Sequence, residues 1–138
     1  MYTREQLSDI IEKYVGGLDI PAQPKGIYEP IKYALEGGGK RIRPVVMLMA
    51  CEAFSGQVES ALPAAAAVEV YHNFTLIHVD LMDNAALRCG TPAVYKQWDA
   101  NTAILSGDAM LLYVCKLLRK VSSEHLPAVL AEFCRMTL

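Results

Sequence analysis

A run of glycines followed by cations is the first place in this sequence that could do chemistry. Residues 37–39 are all glycine, and Lys40, Arg41 and Arg43 follow directly. Glycine leaves backbone N–H groups open to a ligand, and neighbouring cations suit an anionic group such as a phosphate. The segment is not a P-loop, because no Ser or Thr follows the lysine. An equally good reading from the residues alone is a glycine-rich helix end followed by solvated basic side chains.

A second cluster combines carboxylates and a histidine near the end of a long helical pattern. At about 100° per residue, Asp80 and Asp83 lie about 60° apart on a helix, and His72 lies within about 20° of Asp83. Two carboxylates on one face suit Mg²⁺, which completes its shell with water and phosphate oxygens. Arg88 adds a cation where a phosphate could bridge to the metal. The alternative is a polar stripe facing solvent, although the apolar surroundings make unpaired carboxylates costly.

Helical periodicity dominates the segments that must position these clusters, so we predict an all-α protein with one domain, residues 1–138. Predicted helices cover residues 3–15, 28–36, 45–54, 63–88, 92–101 and 108–121, with a last helix after residues 122–123. The first is expected to begin with a capping box between Thr3 and Gln6. Pro63 is expected in the first turn of the longest helix.

The composition excludes several classes of protein. Of 138 residues, 53% are hydrophobic and 20% are charged, which is enough apolar material for a buried core and unlike a disordered chain. The net charge of −2 gives no general attraction to nucleic acid. The N-terminal segment is too charged for a signal peptide, and charged residues and histidines interrupt the apolar runs. We therefore expect a cytoplasmic protein that does not span a membrane.

The two clusters, in this order, resemble motifs of the trans-isoprenyl diphosphate synthases, the polyprenyl synthetase family. The family has a GGK-x-x-RP element, similar to residues 38–44, and then DD-x-x-D and RRG, similar to residues 79–83 and 88–90. Residues 91–98 and 101–109 also look like the family, so the resemblance covers nearly the whole chain. It implies an all-α helical bundle of the isoprenoid synthase type, incomplete here at its C-terminus.

The resemblance also implies an activity and substrate contacts. The family members are Mg²⁺-dependent prenyltransferases that condense an allylic diphosphate with isopentenyl diphosphate. By resemblance, Lys40, Arg43 and His72 bind isopentenyl diphosphate, and Arg88 binds the allylic diphosphate. An aromatic residue at the place of Phe74 limits product length in the family, which implies a product of fifteen or twenty carbons. A core aromatic is an equally good reading of Phe74.

Two motif positions depart from the family pattern. By resemblance, Asp83 binds Mg²⁺ with Asp80 nearby, but Val79 replaces the first aspartate, so Mg²⁺ binding is expected to be weakened or lost. Cys89 replaces the second arginine of RRG, which removes one contact to isopentenyl diphosphate. The chain also carries no second aspartate-rich motif.

These departures predict a chain that is impaired or inactive when alone. The alternative is a catalytically dead binding or regulatory module, which associates with itself or with an active synthase. Apolar helix faces that later helices would cover in the family also predict a homo-oligomer.

Overall fold

The computed structural model describes the backbone of residues 1–138 and the side chains of residues 1–54 and 56–138. It confirms the all-α prediction, since helices and one two-stranded hairpin make up the regular structure of these residues. The helices are α1 (Arg4–Gly16), α2 (Lys25–Glu36), α3 (Ile42–Ser55), α4 (Val58–Met82), α5 (Val94–Gln97), α6 (Ala100–Leu118) and α7 (Leu126–Thr137). The hairpin strands are β1 (Leu87–Arg88) and β2 (Thr91–Pro92).

The start of α1 is the predicted capping box. The Thr3 hydroxyl accepts from the Gln6 N–H at 3.2 Å, and the Gln6 side chain accepts from the Thr3 N–H at 2.8 Å. These two bonds satisfy N–H groups that lack a partner within the helix.

The predicted end of the longest helix was wrong, because α4 ends at Met82 and not at residue 88. Asn84 has a φ of 54°, in the left-handed region that Asn tolerates better than most residues. The Ala85 N–H donates to the Asp80 carbonyl at 2.9 Å, and the Asn84 N–H donates to the Leu81 carbonyl at 3.3 Å. This pair of bonds is a Schellman motif, which closes the helix.

The predicted start of that helix was wrong too. The first residue of α4 is Val58, so Pro63 lies in its second turn. A proline there has no N–H for the Glu59 carbonyl, and exposed Glu59 can be hydrated instead. The next turn is a run of four buried alanines, residues 64–67, whose small side chains allow close approach of α3 and α6.

A hairpin replaces the start of the helix predicted at residues 92–101. Leu87 pairs with Pro92 and Arg88 with Thr91, in antiparallel register. The two turn residues between them, Cys89 and Gly90, both have positive φ, as a type I′ turn requires. Gly90 is a turn residue that the sequence shows, but strands of two residues are too short to give the alternating pattern by which a strand is predicted. Only α5 falls inside the predicted helix.

The central helix α6 is longer than the predicted helix at residues 108–121. The Asp99 carboxylate caps it by accepting from the Thr102 N–H at 2.7 Å, so the helix starts at Ala100. Its length and apolar composition would suffice to cross a membrane. One face is buried against α2 and α4, as in the core helix of a bundle. Its other face leaves Ile104, Leu105, Leu111 and Leu112 exposed.

Candidate functional site

A groove with two connected parts lies between α2, α4, the hairpin and the loop from α2 to α3. The part beside the loop has a volume of about 490 Å³, and the part beside the hairpin about 450 Å³. Gly38, Asn73, Leu76 and Cys89 line both parts, so we treat them as one feature, called the α2–α4 groove. It is the place where the structure brings the two sequence clusters together.

The basic end of the groove contains Lys40, Arg43 and His72. Arg43 Nη1 donates to His72 Nε2 at 3.0 Å. Burial, and then the positive charge of Arg43, hold the pKa of His72 below its ordinary value of 6.5. His72 is therefore neutral at pH 7 and can accept this bond. Three polar side chains here face the space where an anion would sit, although their substrate roles remain predictions.

Arg41 lies in the same loop but turns away from its two basic neighbours. Its side chain is only 2% exposed. Arg41 Nε donates to Glu12 at 2.6 Å, Nη1 to Glu69 at 2.6 Å, and Nη2 to the Leu35 carbonyl at 2.5 Å. Burial opposes the charged form, but the two carboxylates outweigh it and raise the pKa of Arg41. The run of cations predicts that Arg41 binds an anion with Lys40 and Arg43, but its contacts make it part of a structural ion pair instead.

At the other end of the groove, Asp80 and Arg88 form an ion pair. The Asp80 side chain is 4% exposed and that of Arg88 is 42% exposed. Arg88 Nε donates to Asp80 Oδ2 at 3.1 Å, and Arg88 Nη2 donates to Oδ1. The hydrogen bond to Asp80 raises the pKa of Arg88. The turn that closes α4 makes this contact possible, because it sends the chain back so that Arg88 lies beside the last turn of the helix.

Asp80 and Asp83, which the helical wheel places about 60° apart, differ in their exposure to solvent. Asp83 is the C-cap of α4 and is exposed, whereas Asp80 is buried. His72, three helical turns before Asp83, lines the basic end of the groove, and Asp83 is outside the groove lining described. Val79 is 38% exposed and turned to solvent. The Asp83 N–H still donates to the Val79 carbonyl at 2.8 Å, so Asp83 keeps its helical position, and its role at a metal site stays a prediction.

The carboxylates present do not fit a Mg²⁺ ion held by two side chains. Arg88 occupies both oxygens of Asp80, and Val79 has no donor atom. Asp83 is the remaining carboxylate of this motif. Among the described side chains, no group of three His, Cys, Asp or Glu residues could hold one metal ion. The expectation that Val79 weakens or abolishes Mg²⁺ binding therefore stays a prediction.

Phe74 belongs to a cluster of rings on α4. Its ring makes edge-to-face contacts with Tyr71 at 5.4 Å and with His78 at 5.0 Å between centroids. His78 in turn packs on Gly107 of α6, and its Nε2 lies 3.2 Å from the Ile104 carbonyl. Phe74 packs against the hydrophobic core and is not among the groove-lining residues described. Both readings of Phe74, core aromatic and product-length residue, remain open.

Cys89 lies where the two parts of the groove meet. It is exposed, it has a φ of 51°, and it lines both parts. A longer cationic side chain at this position would start from the same turn and could extend into the groove. Cys89, which stands where the RRG motif has its second arginine, therefore forms part of the groove wall.

The bundle and its groove define a class of protein: a helical protein with a groove that is basic at one end and carries an aspartate–arginine pair at the other. Residues 24–138 match the family model described as polyprenyl synthetase. The match covers most of the sequence, so the chain belongs to the polyprenyl synthetase family.

Similar proteins support this assignment to the family. The chain is 45% identical over 102 residues to the geranylgeranyl diphosphate synthase of Methanosarcina mazei, covering 74% of this chain and 32% of that protein. It is 36% identical over 126 residues to the farnesyl diphosphate synthase of Geobacillus stearothermophilus, covering 90% of this chain and 41% of that protein. The chain thus spans between a third and two fifths of the length of these relatives.

Solved structures show the same fold. A crystal structure of geranylgeranyl pyrophosphate synthase superposes with a TM-score of 0.93 at 40% identity, over 98% of this chain and 41% of that one. An isoprenoid synthase family member from Thermotoga neapolitana gives 0.85 at 30% identity, over 94% of this chain and 50% of that one. The bundle is therefore of the isoprenoid synthase type, as the sequence motifs predicted.

Proposed function

We propose that this chain is the diphosphate-binding part of a prenyltransferase that condenses an allylic diphosphate with isopentenyl diphosphate. One observation carries the proposal: Lys40, Arg43 and His72 line one end of a groove whose other end carries Arg88. A diphosphate has several anionic oxygens and needs fixed cations and hydrogen-bond donors around them. The basic end offers Lys40, Arg43 and His72 to one diphosphate, and the other end offers Arg88 to a second.

The proposed roles follow from the geometry of these side chains. Lys40 and Arg43 supply positive charge at the basic end, where isopentenyl diphosphate would bind. His72 holds the Arg43 guanidinium through its Nε2 atom, so it orients that cation as well as facing the groove. Arg88 would bind the allylic diphosphate, and the developing negative charge on the leaving diphosphate would strengthen that contact.

The relatives' names suggest the product class. They are geranylgeranyl and farnesyl diphosphate synthases. We propose a product of fifteen or twenty carbons, in keeping with the aromatic residue Phe74 at the product-length position. A direct test incubates the chain with Mg²⁺, labelled isopentenyl diphosphate and either geranyl or farnesyl diphosphate, and measures label in the organic extract. Labelled prenyl product supports the proposal, and we expect its yield to be low because Val79 lacks a ligand atom.

A second candidate function is a binding or regulatory module without catalysis. The observation that favours it is the altered aspartate motif: Val79 has no ligand atom and is exposed to solvent, and Asp80 is bound to Arg88. Such a module would pair with itself or with an active synthase. Co-purification of the tagged chain with a full-length synthase, together with absence of product in the assay above, would favour this candidate. Product formation by the chain alone would count against it.

We also propose self-association. Large apolar side chains are exposed on several helices of the described structure, including Phe54 of α3 at 93% and Leu112 of α6 at 73%. Burying such surface is favourable, and contiguous exposed apolar area commonly marks an interface. Sedimentation velocity at several concentrations tests this, and a monomer at the highest concentration would contradict it.

A further inference from the structure

The loop that carries two proposed substrate contacts has an unusual backbone. Gly38 and Gly39 have φ values of 81° and 138°, and Arg41 has a φ of 44°. Glycine adopts positive φ readily, but a residue with a side chain does so only when its surroundings compensate. Lys40 precedes Arg41, and Arg43 lies two residues after it. The positions of both cations therefore depend on a backbone that is strained at Arg41.

The Arg41 side chain is bound to three other helices. Its guanidinium donates to Glu12 on α1, to Glu69 on α4, and to the Leu35 carbonyl at the end of α2. The Leu35 carbonyl lies in the last turn of α2, where the helix provides no donor for it. Arg41 itself is the N-cap of α3. One buried side chain thus connects the starting point of α3 to α1, α2 and α4.

The same network reaches the wall of the groove. Glu69 Oε1 also accepts from Asn73 Nδ2 at 3.1 Å, and Asn73 is 8% exposed and lines both parts of the groove. Arg41 and Glu69 line the part of the groove beside the loop, but the Arg41 side chain is 2% exposed and its guanidinium is bound to protein acceptors, so the exposed cations beside it are the ones open to a ligand. Any effect of Arg41 on ligand binding must therefore pass through its neighbours.

We propose that Arg41 is a positioning residue: the ion-pair network Glu12–Arg41–Glu69 holds the loop so that Lys40 and Arg43 face one diphosphate. The proposal rests on the proposed function and assigns to Arg41 a role distinct from direct contact with substrate. Arginine suits this role because its planar fork presents several N–H donors in fixed directions. A lysine at this position could not bond to all three acceptors in the same geometry.

The test separates positioning from general stability. Arg41→Met alone would leave Glu69 as a buried, unpaired carboxylate and could unfold the chain. The double variant Arg41→Met/Glu69→Gln removes both charges and should stay folded, as circular dichroism would show. We expect its affinity for inorganic pyrophosphate, measured by titration calorimetry, to be at least about tenfold lower than that of the unmodified chain. The matched control Arg4→Met, on the exposed first turn of α1, should leave the affinity unchanged.

A coupling measurement identifies the route of the effect. In a background of Lys40→Ala and Arg43→Ala, adding Arg41→Met/Glu69→Gln should lower the remaining affinity by less than twofold, because the groups that it positions are gone. A further tenfold loss would mean that Arg41 or Glu69 binds the ligand itself, and this result would overturn the proposal. Full affinity of the folded Arg41→Met/Glu69→Gln variant would also overturn it.

Hydrogen exchange tests, without any ligand, whether the Arg41 network fixes the backbone of the loop. Backbone amides of residues 38–43 should exchange faster in Arg41→Met/Glu69→Gln than in the unmodified chain, while amides in the middle of α6 should not change. Equal protection of the loop in both proteins would refute positioning. If the unmodified chain bound no pyrophosphate at all, the proposed function would be wrong, and the exchange data would still show whether Arg41 fixes the loop.

Discussion

The ion pair between Asp80 and Arg88 predicts an asymmetric response to mutation. The Asp80 carboxylate is 4% exposed and accepts from two N–H groups of Arg88, whose side chain is 42% exposed. Arg88→Met leaves a buried carboxylate without a donor. Loss of a partner in a fully buried pair costs about 3–5 kcal/mol. Because Arg88 is partly exposed, water can reach the place that it vacates, so we expect a loss of about 2 kcal/mol.

Substitution of the other partner, Asp80, should destabilise the chain less than substitution of Arg88. In Asp80→Asn the amide oxygen can still accept from Arg88, and the partly exposed guanidinium can be hydrated. We expect a loss of about 1 kcal/mol. The double variant Asp80→Asn/Arg88→Met should be close to Asp80→Asn alone, since the charge that needs a partner is absent. For 138 residues, a 2 kcal/mol loss corresponds to a fall in Tm of roughly 7 °C.

The assay is urea unfolding followed by circular dichroism at pH 7, with linear extrapolation to zero denaturant. Arg135→Met is the matched control, because its ion pair with Glu132 is exposed on both sides and should have no measurable effect. The reasoning is refuted if Arg88→Met destabilises the chain no more than Asp80→Asn does. It is also refuted if Arg88→Met behaves like the control.

Three further predictions concern the groove and the helix contact behind it. His72 should titrate below 6.5 in an NMR pH titration, because burial and a neighbouring guanidinium oppose its charged form. Its contribution to stability is therefore present above pH 6.5, the pKa expected in the unfolded chain, and is lost as the pH falls below that value. Gly107→Ala should destabilise the chain by about 1 kcal/mol, since its Cβ would come within 2.7 Å of His78 Cδ2, and this overpacking exceeds the helix propensity gained. Cys89→Arg should raise the affinity for isopentenyl diphosphate about tenfold in calorimetry, through one more charge-assisted hydrogen bond.

Each of these has a control within the chain. Gly26→Ala, where nothing lies within 4 Å of the new Cβ, should leave stability unchanged or slightly higher. Cys89→Met adds length without charge and should not raise the affinity. Arg43→Met should move the pKa of His72 upward, because it removes a cation that opposes protonation. A His72 pKa at or above 6.5 in the unmodified chain would contradict the described contacts.

The sequence predicted the all-α class and the two clusters because these depend on local patterns. The capping box at Thr3 is an example, since its two partners are three residues apart. The end of α4 was missed, although Asn84 was a visible signal: Asn is one of the few residues that commonly occupy the left-handed position after a helix. The predicted helix was six residues too long at this end and therefore hid the turn that brings Arg88 back to Asp80.

The roles of Arg41 and Arg88 could not be read from sequence, because both depend on contacts between distant segments. Lys40, Arg41 and Arg43 are neighbouring cations, and their partners distinguish them. The Arg41 partner Glu69 lies 28 residues away along the chain. Arg88 reaches Asp80 because the chain turns back after the end of α4 at Met82, before β1 begins at Leu87. Spacing shows which residue types are available, but tertiary packing decides which of them form ion pairs and which face the groove.

The most direct test of the account is calorimetric titration of isopentenyl diphosphate into the chain, with EDTA in place of Mg²⁺. The account predicts saturable binding that falls by at least about 100-fold in Lys40→Ala/Arg43→Ala, since two charge-assisted contacts to the diphosphate are lost. Binding that is absent in the unmodified chain, or unchanged in the double variant, would contradict the claim that the basic end of the α2–α4 groove binds a prenyl diphosphate.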